Sequence, residues 1–374
     1  MRVALVRQRY NAQGGAERFI ERALAALARQ GLAVTVLARE WAGEPVANVI
    51  RCDPFYLGRV WRDWSFAGTV CGEIARHSFD LVQSHERIAC CDVYRAGDGV
   101  HAQWLQNRGA ALGPLARAGI ALNPYHRYVL AAERRLFASP RLRAVICNSR
   151  MVKEEIRRHF ATPEAKLHVI YNGIDLEAFH PRLREAHRAV LRGRLGIPQE
   201  ASAFLHVGAG FERKGVRRLI DAFALSGLKD AHLLVVGEDK TRGRAERFAA
   251  ARGVASRVHF AGTQADVRPW YGAADAFVLA TLYDPFPNAA LEAMACGLPV
   301  LTTRQCGAAE IIDEGVSGFV VGALAVTDLA QRLARLTGPA AQEMGRRARE
   351  RALGFSMEEM AGRFVSLYRG LLPS

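Results

Sequence analysis

The sequence predicts an α/β protein made of two doubly wound, Rossmann-like parallel sheets. Three observations lead there. A length of 374 residues is long for one compact core and suits two domains of ordinary size. Short β-branched or apolar runs alternate with helical stretches from the first residues onward. After a charged stretch from Leu176 to Glu200, the same alternation begins again.

In the first half the strand candidates are residues 3–6, 34–38, 48–51, 80–83, 92–96, 144–148 and 167–171, with a helical Ala/Leu/Arg stretch from Ala16 to Gln30. In the second half they are residues 203–208, 232–237, 257–262, 275–280, 299–303 and 318–321, with helices from Gly215 and near Glu246. Strands joined by helices of this length need right-handed parallel crossovers, and such sheets bind ligands beyond their carboxyl ends. The expected domains are 1–172 and 173–355, facing a central cleft, with residues 172–200 as linker. Residues 356–374 form a last helix, in which Met360, Phe364, Leu367 and Leu371 are spaced to pack on one face. That helix is expected to cross back to the first domain.

Half the residues are apolar and about a quarter charged, which excludes disorder, collagen and coiled coil. The net charge is +14, and with only five Lys nearly all the base is Arg. Up to Asn172 the excess is +10, and beyond it +4. That asymmetry points to an anionic partner for the first half: a membrane surface, a phosphorylated substrate or nucleic acid. No basic-aromatic motif or Lys cluster supports nucleic acid, so that partner is not expected. Seven Cys without a Cys-x-x-Cys pair predict neither a disulfide framework nor a zinc site, and fit a reducing cytoplasm. The chain opens on a strand pattern and has no apolar run of 18 residues, so neither export nor a membrane span is expected.

Three constellations carry chemistry. Gly14-Gly15 follows the first strand and opens a helix, where free backbone N–H groups favour an anion; a plain tight turn explains the pair equally well. Gly208-Ala209-Gly210-Phe211-Glu212-Arg213-Lys214-Gly215 follows a strand and enters a helix. Its two adjacent cations match the charge of a diphosphate, and the helix dipole gives them no reason to sit at a helix start. A dinucleotide site would want Gly-x-Gly-x-x-Gly, although Glu238 and Asp239, after the next strand, stand where a cofactor ribose could be held. Asp284 and Glu292, eight residues apart after another strand, offer one carboxylate near a sugar and one further along the ligand. Glu292, in an apolar stretch, needs donors such as ribose hydroxyls or an Arg.

Together, Gly14-Gly15-Ala16-Glu17-Arg18, Val169 to Asp175, Arg213-Lys214-Gly215 and the Asp284/Glu292 pair with Leu291 to Val300 resemble the family-4 retaining glycosyltransferases of the GT-B fold. Within that family Asp92 to Asp98, Gly210 to Val216 and Val300 to Thr303 with Cys306-Gly307 look most like the lipopolysaccharide core glucosyltransferase I group. The resemblance implies that Gly14 and Gly15 meet the donor phosphate, that Arg213 and Lys214 hold the diphosphate with Gly210, and that Glu292 binds the ribose. It implies Asp284, in place of the family's usual Glu, against the donor sugar, with Phe286, Pro287 and Asn288 as backbone N–H donors. It places Asp98 at the sugar, with His101 in reserve.

The implied activity is metal-independent transfer of a hexose, glucose from UDP-glucose, with retention, to a lipid-linked core oligosaccharide acceptor. The implied location is the cytoplasmic face of the inner membrane, as a peripheral enzyme. No Asp-x-Asp pair occurs in the sequence. Residues 101–132 hold no acid, three Arg and many apolar or aromatic residues, which suits either contact with an anionic membrane or an ordinary packed segment. The rivals are another nucleotide-sugar enzyme on this fold, including an epimerase, and an NAD-dependent dehydrogenase.

Overall fold

The computed structural model describes residues 1–11, 28–29, 31–42 and 48–372. Gly14, Gly15 and most of the stretch Ala16–Gln30 lie outside the described residues. The chain divides into two units, Met1–Gly173 with Met357–Ser374, and Ile174–Ser356.

The first unit carries a seven-stranded parallel sheet of order β5-β3-β1-β6-β7-β8-β9. The strands are β1 (Arg2–Val6), β3 (Ala33–Ala38), β5 (Asn48–Arg51), β6 (Leu81–Ser84), β7 (Val93–Arg95), β8 (Ala144–Cys147) and β9 (Leu167–Val169). Two short strands, β2 (Arg9–Asn11) and β4 (Glu40–Ala42), pair separately; the alternation of apolar residues gives no sign of them. Strands buried on both faces read as continuous apolar runs, as in β8, Ala-Val-Ile-Cys; β6 is also buried throughout although it ends on the polar Gln83 and Ser84. The helix Met357–Leu371 covers one face, sinking Met360, Phe364 and Tyr368 among Val3, Val36, Val93 and Ile146. Tyr368 donates to Gln83 Oε1 at 2.5 Å, which satisfies a buried amide in the sheet.

The second unit has six parallel strands in the order β12-β11-β10-β13-β14-β15. These are β10 (Ser202–Val207), β11 (Ala231–Val236), β12 (Val258–Gly262), β13 (Ala276–Leu279), β14 (Val300–Thr303) and β15 (Gly318–Val321). In each sheet the strand order reverses beside the first strand, between β1 and β6 and between β10 and β13. A crevice opens at the carboxyl ends of such a pair because the connections leave in opposite directions.

Two expectations fail here. Residues 172–200 are not a linker: the helix Leu183–Leu195 packs on the helix Arg268–Ala273 inside the second unit. Its Arg192 is fully buried, with Nη2 2.6 Å from Asp275 Oδ2 and Nη1 2.6 Å from the Ala201 carbonyl. A run of charge is a solvated face unless tertiary partners take it up, and here Asp275 and backbone carbonyls do. The cysteines also depart from expectation: Cys71, on the helix Gly58–Arg76, is joined to Cys90 in a disulfide. Sequence spacing could not reveal it, because the pair meets only when that helix packs beside the loop before β7. The other five thiols are free and buried.

Candidate active site

In the second unit, β10 runs into Gly208-Ala209-Gly210 and the single turn Phe211–Lys214, followed by the helix Val216–Leu225. Phe211 is buried and anchors this loop against Phe260. Gly215 has φ +75°, and a Cβ there would stand 1.8 Å from the Ala280 carbonyl oxygen. Only glycine allows this approach, which brings the Arg213-Lys214 turn onto the end of β13. The approach is fastened by the Arg213 carbonyl, which accepts from the Leu282 N–H at 2.8 Å and the Thr281 hydroxyl at 2.9 Å.

Lys214 Nζ donates to Asp284 Oδ2, a close ion pair in which the side chains are 12% and 7% exposed. Two residues separated by 70 positions thus meet across the switch point. Asp284 is held in place through its backbone, its N–H on the Gln305 carbonyl and its C=O taking the Gly307 N–H. The half-buried Arg213 guanidinium makes no hydrogen bond or ion pair with any described residue. Beneath the loop, His206 is kept neutral by burial and then by the charge of Lys214, its pKa pushed down to about 4.

Phe286 is buried, and Pro287 precedes the helix Asn288–Ala295. Pro287 has no N–H, so the expected row of three backbone donors reduces to Phe286 and Asn288. Glu292, on the same helix, accepts from the Tyr271 hydroxyl at 2.7 Å. A tyrosine therefore supplies a donor for this carboxylate. Tyr271 itself was not visible as a site residue in the sequence, because it lies in the helix Arg268–Ala273, where its ring is core material.

Asp239 does not stand ready for a cofactor ribose. Its Oδ2 accepts the Gly210 and Phe211 N–H groups at 3.0 and 3.1 Å, and its Oδ1 the Thr241 hydroxyl at 2.6 Å. Glu238 pairs with Arg242 at 3.1 Å. The backbone donors that a dinucleotide pyrophosphate would use are thus already engaged, and the ribose carboxylate of the dehydrogenase reading serves as a cap.

In the first unit a polar cavity of about 350 Å³ lies beyond the carboxyl ends of β1 and β6. Asp98 lines it, exposed, with Arg87 Nη1 at 3.9 Å. Arg7 faces Glu86 at 3.6 Å, Arg62 pairs with Asp63 at 2.8 Å, and the Tyr125 hydroxyl donates to Asp63 at 3.2 Å. Sequence reasoning missed Arg7 and Glu86, although each follows closely on a strand end. It also missed Arg62 and Asp63, for which no local signal exists. His101 does not line this cavity. Its ring Nε2 is 3.1 Å from His126 Nδ1, and its backbone N–H donates to the buried Glu133 Oε1 at 2.8 Å. Burial, then the charges of Arg87 and His126, push its pKa down to about 3, so the ring is neutral at pH 7.

Of the aromatic residues in 101–132, Tyr125 and Tyr128 turn into the cavity, while Leu115 and Leu122 are 90% and 74% exposed on the helix Pro114–Leu122. Among the described residues no helix is long and apolar enough to cross a membrane.

Residues 13–178 match the family described as Glycosyltransferase Family 4, and residues 201–338 the one described as Glycosyl transferases group 1. The lipopolysaccharide glucosyltransferase WaaG of Escherichia coli K12 is 28% identical over 326 residues, covering 86% of this chain and 85% of that protein. The lipopolysaccharide core biosynthesis glycosyltransferase LpsE of Rhizobium meliloti is 37% identical over 133 residues, 36% of this chain and 38% of that protein. The crystal structure of WaaG superposes with a TM-score of 0.84 at 26% identity, covering 98% of this chain and all of that one. Anabaena HepE in complex with UDP-glucose shares the fold, with a TM-score of 0.76 at 21% identity over 99% of this chain and 100% of that one. The two parallel-sheet units, the two domain matches in that order and the similarity to WaaG along the chain agree: the chain belongs to the glycosyltransferases, as a WaaG-like, family-4 sugar-transferring enzyme of the GT-B fold.

Proposed function

We propose that the chain transfers glucose from UDP-glucose, with retention of configuration and without a metal, to a lipopolysaccharide core acceptor at the cytoplasmic membrane face. The observation that carries the donor side is the loop pair at the β10/β13 switch point. It sets Lys214 against Asp284 and leaves Arg213 with no charged partner among the described residues. Breaking the anomeric C–O bond builds positive charge on the sugar and negative charge on the departing diphosphate. Fixed cations at that phosphate lower the barrier. Arg213 and Lys214 fill this role, with Gly14 and Gly15 at the phosphates and Phe286 and Asn288 giving backbone donors; Gly210, whose N–H is taken by Asp239, serves by shaping the turn that presents the two cations.

Arrival of a diphosphate draws Lys214 toward the phosphate and releases Asp284 to the sugar hydroxyls. Glu292, oriented by Tyr271, takes the ribose. Retention without an enzyme nucleophile calls for front-face displacement, in which the leaving phosphate accepts the proton of the attacking hydroxyl. Asp98 contacts the sugar, with His101, a neutral ring, in reserve. The names of WaaG and LpsE support the lipopolysaccharide acceptor. The exposed Leu115 and Leu122 beside Arg117 support docking on an anionic leaflet.

A panel of nucleotide sugars tests this reading. UDP-glucose is expected to raise the melting temperature most, EDTA to leave turnover unchanged, and the product to carry an α-linked glucose by NMR. Stabilisation by NAD with none by UDP, or a β-linked product, would overturn it.

A further inference from the structure

The second unit holds another cavity, of about 560 Å³, at the other end of its sheet from Lys214. Its lining includes Ser202, where β10 begins, Asp275, just before β13, and Leu298, just before β14. It therefore lies at the amino ends of the strands, whereas the Lys214 and Asp284 loops lie at the carboxyl ends.

Arg184, Arg188, Arg346 and Arg349 line this cavity. Asp275 faces Arg184 at 3.1 Å and Arg188 at 2.8 Å, with the buried Arg192 at 2.6 Å. One carboxylate among three guanidinium groups leaves two positive charges uncompensated. Arg349 donates only to backbone carbonyls, those of Phe179 at 3.0 Å, Ala295 at 2.7 Å and Leu176 at 3.4 Å, and adds a third. Arg346 is matched by Glu343 and Glu350, and Glu200 on the lining offsets one charge. A surplus of about two cations remains around a concave polar space.

A second feature adds to it. The 15-residue helix Gly338–Ala352 starts at this cavity, with Gly338 and Pro339 on the lining. Its N-cap, Thr337, makes no side-chain cap and its first turn holds no acid, so the positive end of the helix is not neutralised by its own sequence.

We infer that this cavity binds the phosphate group of a small phosphorylated metabolite. A phosphate ester near neutral pH carries close to two negative charges, which answers the surplus of cations on and just behind the cavity wall, and charge-assisted contacts to guanidinium groups are stronger than neutral ones. The volume lies within the range of small-molecule sites and exceeds what a lone phosphate fills, which leaves room for the organic part. The cavity is separate from the Lys214 and Asp284 loops at the carboxyl ends of the strands, although Tyr271, which donates to Glu292, also stands on its lining.

Titration calorimetry with glucose 6-phosphate and with inorganic phosphate tests the site on the full chain. Both probes are expected to bind, the ester at least as tightly. Arg184→Gln and Gln342→Glu are each expected to weaken binding at least tenfold. Gln342 is an exposed residue near the helix start on the cavity lining, so a carboxylate there opposes the anion without disturbing a core. The double variant Lys214→Ala/Asp284→Asn, which removes the cation of the other site, is expected to leave affinity within twofold.

Absence of binding, or binding lost in that double variant, would overturn the inference. Loss confined to Arg184→Gln with a lowered melting temperature, and none in Gln342→Glu, would mark a packing effect and overturn it as well. A site that took free phosphate but excluded the ester would refute the assignment to a metabolite.

Discussion

Replacing Lys214 by Ala removes one partner of an ion pair whose side chains are 12% and 7% exposed. With so little solvent to screen it, Asp284 is left buried without its counter-charge. Breaking such a pair from one side costs about 3 kcal/mol or somewhat more. For a unit of this size each kcal/mol lowers the melting temperature by about 2 to 4 °C, so a fall of roughly 6 to 12 °C is expected. The double variant Lys214→Ala/Asp284→Asn removes both charges and should recover most of that loss, which separates stability from ligand binding.

In the double variant UDP loses one charge-assisted contact, about 1.5 to 3 kcal/mol. That corresponds to roughly 10- to 150-fold weaker binding. Calorimetric melting and titration with UDP measure the two quantities on the same samples. A folded double variant that binds UDP within threefold of the parent would refute the assignment of Lys214 to the diphosphate.

Gly215→Ala, which forces a Cβ onto the Ala280 carbonyl, should unfold the second unit or abolish UDP binding. Gly210→Ala, with φ +77° but open space, should cost only about 1 to 2 kcal/mol by urea titration. Tyr271→Phe takes a hydroxyl donor from Glu292, so UDP affinity should fall by up to about tenfold, or roughly 1 kcal/mol, and an unchanged affinity would separate Tyr271 from ribose binding. Burial keeps His85, His101 and His206 neutral in the fold, with His101 at about 3 and His206 at about 4 against an ordinary 6.5. The unfolded chain therefore takes up protons first, and the urea midpoint should fall as pH drops from about 6.5 toward 4; a flat profile would contradict neutral rings. Arg117→Glu with Arg127→Glu should abolish binding to anionic liposomes in a sedimentation assay if the exposed Leu115 and Leu122 face is the docking surface.

Strand positions were legible because strands of a parallel sheet are buried on both faces. Runs such as those ending at Val6, Cys147 and Leu279 must be apolar throughout, which is a local property of the chain. The glycine-bounded Arg213-Lys214 turn was legible for a similar reason, since positive φ and close approach demand glycine wherever they occur. What stayed hidden depends on partners distant in sequence. The burial of Arg192 needs Asp275, the Cys71–Cys90 bond needs a helix beside a loop, and the cap on Gly210 needs Asp239 from the next strand end. A side chain's charge is written in the sequence; whether it meets water, a counter-ion or a ligand is settled only by what the fold brings within hydrogen-bonding distance. For that reason sequence alone determined the sheet class and the cationic turn, and tertiary structure decided that Lys214 rests on Asp284, that Glu292 leans on Tyr271 and that an arginine-lined cavity lies at the far end of the same sheet.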